Sequence, residues 1–172
     1  RVIAQPQHIV RIDHEKTEPL STDAEKFFLG KVLPLIPQCD AVVLEDYAKG
    51  VLTTELIGSL VHLPTAQGRP TLVDPTHRDF SRYRGATIIT PNLRELEIAA
   101  GCKLKATDVD AVSQAAQPIA AMLELDALVV TLSEHGMLVV PAHGQSTLIP
   151  AARREVFDVT GAGDVAISVL AV

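Results

Sequence analysis

The chain has 172 residues, of which 47% are apolar, 21% charged and only 3% aromatic, and its net charge is −6. That length supports a single domain with a sizeable core built from Val, Leu, Ile and Ala. The acidic balance excludes nonspecific capture of nucleic acid or of an anionic membrane surface, which both need a basic face, and no apolar run reaches membrane-spanning length.

Residues 1–6 lack the apolar stretch of a signal peptide. Cys39 and Cys102 stand far apart with no ligand pattern around them, and the six histidines show no metal spacing. These features predict two reduced thiols in a cytoplasmic protein. The chain opens without Met in strand-like sequence and stops inside an apolar helical run, so part of a larger domain is expected, truncated at both ends.

Residues 8–13 alternate and predict a half-exposed strand. Ser21 or Thr22 caps a helix expected to reach Leu35, with Ala24, Phe27, Phe28, Val32 and Leu35 on its inner face. Residues 41–44 predict a short buried strand. Thr53 or Thr54 then caps a helix that turns Leu56, Ile57, Leu60 and Val61 inward. Strands follow at 71–73, closed by Asp74-Pro75, and at 86–90, closed by Pro91. Asn92 caps a helix that Gly101 stops at Ala100. A longer amphipathic helix presents Val109, Val112, Ala116, Ile119 and Leu123, and Pro118 is expected to kink or split it. Residues 127–131 predict a buried strand. Residues 136–140 and 146–149 predict a hairpin across Ala142-His143-Gly144. The last helical run starts at Val165.

Strands alternating with helices imply an α/β fold with a mainly parallel sheet covered on both faces, in one domain over residues 1–172. Ligands bind such sheets beyond the carboxyl ends of the strands. Five polar segments fall at those ends: 45–50, 74–78, 91–95, 131–136 and 158–164. Each alone is ordinary turn chemistry; together they describe a site.

The last of these, Asp158-Val159-Thr160-Gly161-Ala162-Gly163-Asp164, is the most specific. Small residues at the start of a helix bare backbone N–H groups that attract phosphate. An aspartate beside phosphate is at odds with like-charge repulsion. It makes sense as a base for a hydroxyl that attacks that phosphate, although Asp164 is also a residue that the helix dipole favours in a first turn. Asn92 and Glu95 have the spacing of a capping box. Asp46 and Lys49 on their own read as a solvated turn before a helix, and Gly136 as a hairpin-entry glycine.

These residues carry a resemblance. The run from Asp158 to Asp164 resembles the second signature of the ribokinase-like (PfkB) sugar kinases. Asn92-Leu93-Arg94-Glu95 is similar to their N-x-x-E motif, and the segment from Thr131 to Gly136 to their nucleotide-binding turn. Asp46-Tyr47-Ala48-Lys49-Gly50, the segment from Asp79 to Ala86, and Thr90-Pro91-Asn92 further resemble the kinase domain of bacterial D-glycero-β-D-manno-heptose 7-phosphate kinases. The resemblance covers nearly the whole chain, which in turn covers only the middle and later part of that domain.

The resemblance implies a ribokinase-like three-layer α/β/α fold and a kinase that moves the ATP γ-phosphoryl to a sugar hydroxyl, the anomeric one of the heptose phosphate. That step belongs to ADP-heptose synthesis for lipopolysaccharide. Asp164 would be the base. A carboxylate is a poor match in basicity to a hydroxyl, so proton removal accompanies phosphoryl transfer. The N–H groups of Gly161, Ala162 and Gly163 would form an anion hole. Glu95 would act on Mg²⁺ through water, and Asn92, Thr131, Ser133 and Gly136 would line the nucleotide side. The loop with Asp46 and Lys49 would face the phosphate-transfer site, Lys49 offering a point charge to substrate phosphate, and Arg11 and Asp13 would lie near the sugar. A fused adenylyltransferase is expected in the full protein. An exposed sheet edge and apolar face predict self-association into a homo-oligomer, with the 172 residues alone inactive.

Three positions depart from the family pattern. Val165 stands where a hydroxyl residue usually follows the base, Thr76 replaces a Lys after Asp-Pro, and Ser133 replaces Gly. They bear on acceptor and efficiency more than on reaction class, and leave open another sugar, sugar phosphate or nucleoside as acceptor. The truncated ends separately leave open a nucleotide-binding module without catalysis.

Overall fold

The computed structural model describes residues 2–4, 7–10, 15–76, 79–151 and 162–172. A small antiparallel pair, β1 (Val2–Ala4) and β2 (Gln7–Val10), stands apart from the main sheet. The strand expected over 8–13 is present as far as Val10, and Arg11 and Asp13 lie outside the described residues.

Ser21 caps α1 (Thr22–Val32) by accepting from the Ala24 N–H. The helix does not run on to Leu35 as expected. It tightens into a 3₁₀ segment (Leu33–Gln38), because Pro34 and Pro37 remove backbone donors. Its inner face is also rotated from the expected one. Phe28, Leu29 and Val32 pack against the core, while Phe27 is 70% exposed and Leu35 lies in the 3₁₀ segment, exposed as well.

The main sheet has six strands in sequential order: β3 (Val42–Asp46), β4 (Thr71–Pro75), β5 (Ile88–Ile89), β6 (Ala127–Thr131), β7 (Met137–Pro141) and β8 (Thr147–Ile149). The first four run parallel, and β7 and β8 add an antiparallel hairpin. The crossovers are α2 (Thr54–Ala66), a 3₁₀ turn (Phe80–Tyr83) and the pair α3 (Leu93–Ala100) and α4 (Val109–Met122). Thr53 caps α2, Asn92 caps α3, and Gly101 ends α3 in the left-handed region. Pro118 does not split α4, since Ala116, Ile119 and Ala120 are buried on either side of it. That packing outweighs the one backbone bond a proline forfeits, about 3 kcal/mol.

Strand parity divides the sheet into two faces. Leu44, Val73, Ile89, Leu128 and Val130 point to one face, where Ile57, Leu60, Leu96, Val112 and Ile119 complete the main core. Val43, Leu72, Ala127 and Val129 point to the other. There, among the described residues, α5 (Ala162–Leu170) lies against β3 and β4 and buries Ile167 completely.

Candidate active site

The second face, at the carboxyl ends of the strands, gathers the chemistry. The register pairs Glu45 with Asp74, so both carboxylates leave the sheet on the α5 side. Thr90 and Thr131 share that parity, and Asn92 bridges Thr131 in the same register. The first turn of α5 closes the group. The helix start lies close to Asp74, since a Cβ on Gly163 would meet Asp74 Oδ2 at 3.4 Å, an ordinary contact. Asp164 follows it, exposed to solvent. Ala162 and Gly163 occupy the helix start, where backbone N–H groups have no partner within the helix. Gly161, Asp158 and Thr160 lie outside the described residues.

This edge is strongly acidic. Burial raises the Asp74 carboxyl to about 6, and the charges of Glu45 and Asp164 add to it against the lowering effect of a 3.4 Å contact from the Thr90 hydroxyl. Glu95 is also pushed up, first by burial and then by the charge of Asp74. Tyr47 donates to Glu45 Oε2 at 3.0 Å; that bond raises its phenol, as do the charges of Glu45, Asp164 and Asp74.

A raised carboxyl means that the folded chain prefers Asp74 neutral. The stability this gives is complete below 3.8 and disappears as pH rises through about 6. The whole displacement corresponds to about 3 kcal/mol. Asp74 is only partly buried, and solvent screening reduces the expected effect to about 1 kcal/mol. Asp74→Asn should therefore stabilise the metal-free, nucleotide-free protein by about 1 kcal/mol at pH 7.5 and by little at pH 4. Denaturation of both proteins at the two pH values checks this, and an unchanged stability at pH 7.5 would contradict it.

Asn92 and Glu95 form a complete capping box. The Glu95 N–H donates to Asn92 Oδ1 at 2.9 Å, and the Asn92 N–H to Glu95 Oε2 at 2.8 Å. The box fixes both side chains at the start of α3, beside the acidic edge, and the capping reading is met. Ser133 adopts φ +53, which costs a non-glycine residue about 1 kcal/mol. Gly136 has φ +97, and a Cβ there would overlap the Ile149 carbonyl. Packing of the hairpin against β8 therefore explains this glycine by itself.

Asp46 is placed elsewhere. Asp46 is one residue out of phase with Glu45, so its side chain enters the opposite face and is 4% exposed. It accepts from the Tyr83 hydroxyl at 2.6 Å and the Ala48 N–H at 2.9 Å, and faces Arg82 at 3.6 Å. The expectation of a substrate or phosphate contact at Asp46 is thus met by a carboxylate already engaged inside the protein. Lys49 pairs with Glu15. Glu45 and Asp74 open two of the polar segments picked out in the sequence, but its motifs give no role to either. Alternation along β3 and β4 was the signal for them, since both are polar on the face opposite Leu44 and Val73.

Among the described residues no three His, Cys, Asp or Glu side chains come together to hold a metal ion. A divalent cation at the acidic edge would still relieve the like-charge contribution that, after burial, raises Asp74 and Glu95.

The pattern of the pfkB family carbohydrate kinases matches residues 3–172. The chain belongs to that family. It is 44% identical over 170 residues to the bifunctional protein HldE of Citrifermentans bemidjiense, covering 99% of this chain and 34% of that protein. It is also 44% identical over 171 residues to the bifunctional protein HldE of Trichlorobacter lovleyi, again over 99% of this chain and 34% of the relative. The chain thus spans about a third of the curated relatives it matches. Among solved structures, Arabidopsis thaliana ribokinase complexed with ribose and ATP superposes with a TM-score of 0.66 at 19% identity, over 87% of this chain and 45% of that one. Phosphofructokinase-2 from Escherichia coli in complex with fructose-6-phosphate gives 0.63 at 20% identity, over 86% and 48%. These structures establish the ribokinase-like α/β fold. Among the described residues no helix is long and apolar enough to cross a membrane.

Proposed function

We propose that this pfkB-family chain is the phosphoryl-transfer part of an ATP-dependent sugar kinase acting on D-glycero-β-D-manno-heptose 7-phosphate. The product is the 1,7-bisphosphate used for ADP-heptose and the lipopolysaccharide core. The observation that carries the reading is the start of α5, where exposed Asp164 follows Gly163 over the strand-end carboxylates. The 44% identity to proteins called bifunctional HldE supports the choice of acceptor, as do the motifs shared with heptose phosphate kinases.

Asp164 takes the proton of the attacking anomeric hydroxyl as the oxygen bonds to the γ-phosphorus of ATP. The bond to the ADP oxygen breaks in line with it. The N–H groups of Gly161, Ala162 and Gly163 stabilise charge on the transferring group. Asn92 orients phosphate, and Thr131, Ser133 and Gly136 border the nucleotide. Glu95 would hold Mg²⁺ through water, and the ion would supply positive charge to neutralise the phosphates. ATP and a soluble sugar phosphate place the reaction in the cytoplasm. The relatives' greater length and their bifunctional name support a second catalytic part, an adenylyltransferase, in the full-length gene product. Self-association into a homo-oligomer belongs to the same reading.

A coupled ADP-release assay of the full-length gene product, across heptose 7-phosphate and a panel of hexose phosphates, tests this. Turnover is expected with the heptose. Turnover confined to a hexose phosphate would overturn the acceptor, and none with any sugar would overturn the kinase reading.

A further inference from the structure

Tyr47 is the first residue beyond β3, and its surroundings hold it with unusual care for a side chain that is 56% exposed. The loop behind it is fixed at both ends. Ala48 sits at φ +53, with its N–H bonded to Asp46 Oδ1 at 2.9 Å. Gly50 sits at φ +83 under the Glu18 carbonyl, which a Cβ would overlap, and its own carbonyl accepts from the Leu20 N–H at 3.0 Å. The Asp46 carbonyl accepts from the Thr76 N–H at 3.1 Å, tying the loop to the end of β4. A rigid turn with one strained non-glycine residue thus presents a single large aromatic side chain at the rim of the acidic edge.

The phenol is oriented as well. It donates to Glu45 Oε2 at 3.0 Å, and Glu45 shares a face with Asp74, against which Gly163 and the start of α5 pack. The charges there push the phenol away from ionisation, so it remains a donor and a neutral surface. An exposed aromatic ring flanked by carboxylates matches carbohydrate. The ring covers the apolar C–H face of a sugar, and the carboxylates accept from its hydroxyls. It mismatches phosphate, which three carboxylates repel.

We propose that Tyr47, oriented by Glu45, is an acceptor-side positioning residue that holds the sugar ring so that its reacting hydroxyl faces Asp164, with the acceptor's own phosphate directed away from this edge. The inference rests on the sugar-kinase reading above. It adds which residue orients the acceptor and which end of the acceptor lies at the β3 rim.

The test uses the full-length gene product, with the sugar phosphate that the wild type turns over fastest. Tyr47→Phe is expected to raise the acceptor KM about fivefold and Tyr47→Ala about thirtyfold, the losses of one oriented hydrogen bond and of that bond with the ring contact. The KM for ATP and the melting temperature should stay at wild-type values, because the side chain is exposed. An acceptor KM within twofold of wild type for Tyr47→Ala would overturn the inference while leaving the kinase reading intact. So would an equal rise in the KM for ATP. A wild-type protein with no turnover on any sugar phosphate would overturn both.

Discussion

Asp164→Asn in the full-length gene product is expected to lower kcat by about 10³-fold while leaving nucleotide affinity at or above its wild-type value. The loss is that of a base in the transition state. Asparagine keeps the volume and the acceptor oxygen but cannot take the proton. The side chain is exposed in the first turn of α5, so the fold should tolerate the change. A carboxylate in a first turn gains only about 0.3–1 kcal/mol from the helix dipole. Binding should survive because the anion-attracting groups are backbone N–H groups, which the substitution does not touch. It also removes one negative charge from an edge that already holds Glu45 and Asp74, so ATP meets less repulsion. Steady-state kinetics paired with calorimetric titration of a non-hydrolysable ATP analogue separate the two effects. If turnover and nucleotide affinity fell together, Asp164 would be acting on the shape of the helix start rather than on the proton.

Local chemistry made much of this legible before any coordinates. Caps at Ser21, Thr53 and Asn92, the stop at Gly101 and the hairpin after Gly136 are decided by neighbouring residues, and the structure has them where the sequence put them. The parallel sheet followed from the alternation of strands and helices. What failed depended on partners distant in sequence. Phe27 looked inward by periodicity, but the faces of α1 are set by where the helix meets the sheet, and Phe28, Leu29 and Val32 won that contact. Pro118 looked like a break, but its neighbours are buried deeply enough to keep α4 continuous.

The site divides in the same way. Asn92, Glu95 and Asp164 announce themselves through short motifs. Glu45 and Asp74 do not, since their meaning comes from strand register and from the approach of Gly163 much later in the chain. Asp46 is the instructive case. It is the motif-like residue of its segment, yet parity sends it to the other face, and its neighbour Glu45 reaches the site instead.

That placement makes Asp46→Ala the substitution with the largest expected effect on stability. The Asp46 carboxylate is buried and satisfies three groups: the Tyr83 hydroxyl, the Ala48 N–H and the Arg82 guanidinium. Arg82 also donates to the Leu52 carbonyl at 2.6 Å, and its Nε is buried with no hydrogen-bond partner. Removing the carboxylate would leave a half-buried cation, its side chain 14% exposed, without its partner beside a fully buried phenol. Losing one partner of such a pair costs about 3–5 kcal/mol. Tyr83→Phe removes one bond and leaves Asp46 its other partners, so about 1–2 kcal/mol is expected. The double variant should lose less than the sum of the two, because the Tyr83–Asp46 bond is counted in both. Chemical denaturation of the four proteins measures the cycle. The consequence reaches the active edge, since the Ala48 N–H bond to Asp46 shapes the turn that presents Tyr47. The folded Asp46→Ala protein should therefore also show a raised acceptor KM with an unchanged KM for ATP. If Asp46→Ala kept wild-type stability while losing ATP affinity, the carboxylate would belong to the phosphate side after all, and the buried network would be incidental.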